Sequence, residues 1–144
     1  MESIEKERFK SGGDRSERRL LQVAVAGEGR TAVRLELLEQ GRDLLLLITG
    51  GEAHVGAVAA ASPCRDERDA GGDLQVHVHE LPGHREGPLA ETAARILARA
   101  SGRSCAVVAG IHQDRATAPE IQSIVANVAR AQRELLAGFD TPTS

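Results

Sequence analysis

The chain has no tryptophan and no tyrosine, and Phe9 and Phe139 are its only aromatic residues. Proteins that hold single-stranded nucleic acid stack the bases on aromatic rings, and this chain has no such platform to offer. Its net charge of -3 leaves no basic footprint for a phosphate backbone either. A flavin bound here would have to rest on aliphatic surface, peptide planes or guanidinium groups. Cysteine is scarce too. Cys64 falls in a charged loop and Cys105 in a continuous apolar run, so the pair suits neither a disulfide framework nor a cysteine zinc cluster. No segment approaches the roughly 20 apolar residues of a membrane span, and the opening Met1-Glu2-Ser3-Ile4-Glu5-Lys6 lacks the apolar core of a signal peptide. The expectation is a reduced cytoplasmic protein with no nucleic acid and no membrane among its partners.

What is present reads as one ordinary globular domain, with 41% apolar and 27% charged residues in 144. Residues 1–19 are dense in both signs of charge and contain Gly12-Gly13, which predicts a flexible N-terminal tail ahead of a domain over 20–139 and a short C-terminal tail at 140–144. Strands are expected over 20–26, 31–38, 44–48, 55–61 and 74–79, and again over 105–109. In the second of these, Val33, Leu35 and Leu37 alternate with Arg34 and Glu36. Leu44-Leu45-Leu46-Leu47-Ile48 and Cys105-Ala106-Val107-Val108-Ala109 have no polar face, as central strands covered on both sides would read. A second copy of the chain could supply the missing cover, so a homodimer is expected.

Two helices complete the pattern. Pro88 suits a first helical turn, Leu89, Ala93, Ile96, Leu97 and Ala100 follow at helical spacing, and Gly102 stands where a C-terminal cap belongs. Thr117-Ala118-Pro119-Glu120 reads as a capping box, with Ile121, Ile124, Val125, Val128, Leu135 and Leu136 as the apolar face behind it. Strands in meander, then helix, strand and helix, predict an α+β, two-layer α/β sandwich. Its sheet should be mixed and mostly antiparallel, with both helices on one face through Ile96, Leu97, Ile124 and Val128.

Chemistry concentrates in three of the five histidines, each in a glycine-marked turn at a strand end: Thr49-Gly50-Gly51-Glu52-Ala53-His54-Val55-Gly56, Leu81-Pro82-Gly83-His84-Arg85-Glu86 and Ala109-Gly110-Ile111-His112-Gln113-Asp114. Imidazole titrates near neutrality and ligates metals, and loops leaving a rigid sheet are where sites form. His112 ends a buried strand shortly before a helix N-terminus. Arg85 can hold a phosphate or carboxylate, and Glu86 can orient an imidazole. The Gly50-Gly51 turn is neither a Walker A loop nor Gly-x-Gly-x-x-Gly. His77 and His79 have the His-x-His spacing of some zinc sites, but without a third ligand they read as the polar side of a half-buried strand. No nucleophile elbow, Cys-His pair or paired-carboxylate site is present, so no catalytic residue is assigned.

Taken together over about residues 31–136, the three turns and the element order between them resemble the prenylated-flavin chaperone family. Its members include the small D-type subunit that accompanies UbiD-type gallate decarboxylases, and its domain is similar in fold to proteasome assembly chaperones. The resemblance implies a non-catalytic protein that binds prenylated FMN and assists its delivery to, or maturation in, a UbiD-type decarboxylase. It implies a cofactor site lined by His54, His84 and His112, with Gly50, Gly51 and Arg85 near them. Many members carry Pro before the first histidine, where this chain has Ala53. Two other readings stand beside this one. His54, His84 and His112 could ligate a divalent metal in a metal-dependent enzyme, with an open fourth position. Alternatively, the chain could be a pure assembly chaperone that binds protein alone.

Overall fold

The structure, a computed structural model, describes residues 18–64 and 73–139. Residues 1–17 of the tail expected over 1–19, most of the charged connection before Asp73, and residues 140–144 lie outside the described part. Six strands form one sheet: β1 (Arg18–Ala26), β2 (Val33–Gln40), β3 (Asp43–Gly51), β4 (Ala57–Pro63), β5 (Leu74–Glu80) and β6 (Cys105–His112). Two helices, α1 (Gly87–Ser101) and α2 (Ala118–Leu136), flank β6 in the chain. Short 3-10 turns follow β1 and α2.

The spatial order is β1-β2-β3-β6-β4-β5. Every neighbouring pair is antiparallel except β3 and β6, which run parallel, so the sheet is mixed and mostly antiparallel as expected. The two runs without a polar face are these adjacent parallel strands, with Leu46 opposite Val107 and Ile48 opposite Ala109. β1 starts two residues ahead of the expected Leu20, because Arg18 and Arg19 pair with Gln40 and Glu39. β4 starts two residues later than expected and runs on to Pro63, which has no N–H to extend the ladder.

One face of the sheet makes the core. Val33, Leu35, Leu37, Leu44, Leu46 and Ile48 are buried there, and α2 packs over β1 and β2 while α1 packs over β4, β5 and β6. The helices bury narrower stripes than their spacing suggests. Leu97, Ile124 and Val128 reach the core, but Ile96 is 38% exposed and Ile121 and Val125 are about half exposed. Small residues take the place expected for Ile96: Ala90, Ala93, Ala94 and Ala98 let α1 lie close on the equally small Ala57, Ala59 and Ala61 of β4. Gln132, the buried polar side chain between the helices, donates from Nε2 to the Ala93 carbonyl at 2.8 Å and so costs no unpaired group.

Among the described residues, the other face carries no helix. Leu45, Leu47, Val58, Ala106 and Val108 share it by register and are only partly covered. Among the described residues, the expected cover over both faces of the central strands is therefore met on one side only.

Candidate functional site

The strand order delivers all three histidine turns to one edge. Parallel pairing of β3 and β6 puts Gly51 beside His112 at their common C-terminal end. β4 runs antiparallel to β6, so the segment before Ala57, which holds His54, begins at that same edge. β5 runs antiparallel to β4, so its end at Glu80 returns there and the chain continues through His84 into α1. Backbone hydrogen bonds fix the turns to one another: Glu52 N–H donates to His112 O at 3.2 Å, Gly56 N–H to Ala109 O and Leu81 N–H to Gly56 O, both at 2.9 Å.

The imidazoles meet. His54 and His84 stack with centroids 4.9 Å apart and planes at 30°, and His112 meets His54 edge-on at 6.0 Å and 85°. His54 Nδ1 lies 3.1 Å from the Glu52 carbonyl, which can only accept, so Nδ1 carries the proton. In the neutral ring Nε2 is the lone-pair nitrogen. That atom is buried and makes no hydrogen bond, although Glu86 Oε1 is 3.3 Å away. The second Glu86 oxygen is 3.7 Å from His84 Nδ1 and accepts the Arg85 N–H at 3.0 Å. His112 Nε2 pairs with Asp114 Oδ1 at 2.9 Å, out in solvent.

Two glycines make the cluster sterically feasible. A Cβ on Gly110 would collide with the His54 carbonyl, and one on Gly56 with the Glu86 carboxylate. The loop bearing His54 thus lies directly on the β6 backbone, and Glu86 reaches into the cluster only because Gly56 has no side chain. The sequence motifs contained both glycines, but only the fold shows what they make room for. Beyond His112 the chain turns at Arg115, whose φ of 51° is the positive value among described non-glycine residues. It then enters α2 through the expected capping box, with Thr117 Oγ1 accepting from Glu120 N–H at 3.2 Å and Glu120 Oε1 accepting from Thr117 N–H at 3.1 Å.

The other expected site residues lie in different settings. Gly50 is buried against Ala32 and Ile111 and shapes the turn from inside, while Gly51, with φ of 64°, lies against His112. Arg85 is exposed and lines a groove of about 280 Å³ between the helices, together with Pro88, Leu89, Ile96 and Val125. His77 and His79 face the helix-free side, opposite Ala60 and Val58, and take no part in the histidine stack. Cys105 is buried, donates from Sγ to the Ala94 carbonyl, and has its thiol pushed up to about 11 by burial, which leaves it inert at neutral pH. Among the described residues no helix is long and apolar enough to cross a membrane.

Comparisons agree with this architecture. A solved structure described as a novel chaperone complex for yeast 20S proteasome assembly superposes with a TM-score of 0.54 at 13% identity, covering 83% of this chain and 93% of that one. At that identity the likeness is one of fold alone. No curated protein matches the chain by sequence. A family model, the prenylated flavin chaperone LpdD-like domain, matches residues 27–140, which takes in the whole histidine cluster and both helices. The chain belongs to the prenylated flavin chaperone LpdD-like family.

Proposed function

We propose that this protein is a non-catalytic chaperone that binds prenylated FMN at the histidine edge and passes it to an apo-decarboxylase of the UbiD type. The observation that carries the reading is the meeting of the His54, His84 and His112 rings at one sheet edge, where His54 Nε2 is buried with no hydrogen-bond partner. A buried polar atom left unpaired costs stability, so it marks a place where an incoming group can bind at a gain. The residues fit the cofactor in kind. The stacked imidazoles of His54 and His84 provide the flat surface that a ring system needs in a chain without Trp or Tyr, and the exposed Arg85 can meet a phosphate. Gly50 and Gly51 hold the His54 turn in place. When bound, the prenylated flavin supplies the electron sink for decarboxylation in the partner enzyme; this chain's groups bind and orient it.

The nitrogen-rich cluster also suits a divalent metal. The helix-free face, with Leu47 and Val108 at its centre, would be covered by a second copy in a cytoplasmic homodimer. A transfer assay tests the function. Cofactor-loaded chaperone is mixed with an apo UbiD-type decarboxylase, and decarboxylation is followed against an equal amount of free prenylated FMN. Faster or fuller activation by the loaded chaperone is expected, and the gain should disappear with His112→Ala. Equal activation with and without the chaperone would contradict delivery.

A further inference from the structure

We propose that the cluster holds a divalent transition-metal ion through His54 Nε2, His84 Nδ1 and a carboxylate oxygen of Glu86, and that His112 stands outside this ligand set. The proposal shares His54 and His84 with the flavin reading but does not depend on a flavin being bound.

The ligand atoms of these three residues all lie within 4.8 Å of one another. Around a tetrahedral ion with bonds of about 2.0–2.1 Å, neighbouring ligand atoms sit roughly 3.3–3.4 Å apart. His54 Nε2 is already 3.3 Å from one Glu86 oxygen, and His84 Nδ1 is 3.7 Å from the other, so the carboxylate lies within reach of both imidazoles. The hydrogen bonding suits ligation as well. Donation from His54 Nδ1 to the Glu52 carbonyl, at 3.1 Å, is the outer hydrogen bond that ligating imidazoles ordinarily make, and in the neutral ring it leaves Nε2 as the lone-pair donor. Nε2 is buried with no hydrogen-bond partner, so the site has an unmet demand that a cation satisfies.

Glu86 is aimed rather than solvated. Its side chain is 12% exposed, its carboxylate accepts the Arg85 N–H, and Gly56 leaves the space it occupies. It gives no capping hydrogen bond to α1, although it is that helix's N-cap, so capping does not account for its position. His112 is disposed differently. It is half exposed, its Nε2 is engaged by Asp114 at 2.9 Å, and it meets His54 by ring contact instead of converging on the same point. Two imidazoles and one carboxylate leave coordination positions open. Nitrogen and oxygen donors of this kind suit zinc, manganese or ferrous iron, whereas magnesium and calcium prefer oxygen donors. An open position beside a cofactor site would give a phosphate or flavin oxygen a metal to bind.

The test uses untagged full-length protein, stripped with chelator and titrated with Co2+ alone, with no flavin present. Visible d–d absorption reads coordination, and thermal melting reads folding. One equivalent should bind. Glu86→Gln, which keeps a side-chain oxygen for the Arg85 N–H, should weaken binding at least about 100-fold without lowering the apo melting temperature, and His54→Ala should do the same to the spectrum. His112→Ala and the double change His77→Ala, His79→Ala should bind as the wild type does. No stoichiometric binding by the wild type would overturn the proposal. So would a loss with His112→Ala as large as that with Glu86→Gln, or loss through the His77 and His79 changes. Flavin affinity, measured separately on the metal-free protein, can fail without touching this result.

Discussion

Gly110 cannot carry a side chain because the His54 carbonyl lies where its Cβ would be, and so a residue of β6 with no chemistry of its own decides where an imidazole stands. The sequence marked His54, His84 and His112 by type and by their turns. It could not show that His54 and His84 stack, or that the Glu86 carboxylate lies within 3.7 Å of a nitrogen of each, because both depend on pairings between segments far apart in the chain. A second residue-scale consequence concerns pH. The Thr117 N–H first, and then the Arg30 guanidinium at 2.9 Å, hold the Glu120 carboxyl below the ordinary glutamate range. A carboxylate with a lowered folded value contributes stability above its unfolded value and loses it as pH falls through the folded one. Glu120→Gln should therefore melt lower than wild type near neutrality, with the gap closing as the medium is acidified through and below the ordinary glutamate range. A gap that stays constant across that range would mean that the charge of Glu120 does not stabilise the start of α2.

At the scale of elements, α2 is the clearest test of the packing. It covers β1 and β2, and Ile124, Val128 and Leu135 are buried beneath it. Ile124→Ala should cost about 2–5 kcal/mol in denaturant unfolding, the range for removing a buried aliphatic side chain. A loss near zero would make α2 peripheral to the core. Helical spacing located both helices and their caps, because Pro88, Gly102 and the Thr117 capping box are local signals. It could not set the width of each buried stripe. Ile96, Ile121 and Val125 lie at apolar positions of the pattern yet remain exposed, since α1 and α2 sit side by side over different strands and leave a groove between them. The two parallel central strands were legible for a simple reason: a run with no polar face suits the middle of a sheet and little else.

For the whole molecule, the asymmetry of the sheet is the main fact. One face is sealed by two helices, and the other presents Leu45, Leu47, Val58, Ala106 and Val108. An apolar sheet face of this kind usually meets a partner. If the partner is a second copy, Val108→Glu should give a monomer in sedimentation while the melting transition stays cooperative; a wild-type chain that already sediments as a monomer would contradict the homodimer. The histidine edge is set by the topology of the same sheet, since strands β3, β6, β4 and β5 all deliver their turns to it. The account's central claim is that this edge binds prenylated FMN, and the most direct measurement is a visible-absorbance titration of that cofactor into the untagged full-length chain. The expected result is saturable binding at one site per chain, weakened roughly tenfold or more by His112→Ala with folding intact and unchanged by His77→Ala. Binding that is absent in the wild type, or that survives loss of His54, His84 and His112 together, would contradict it.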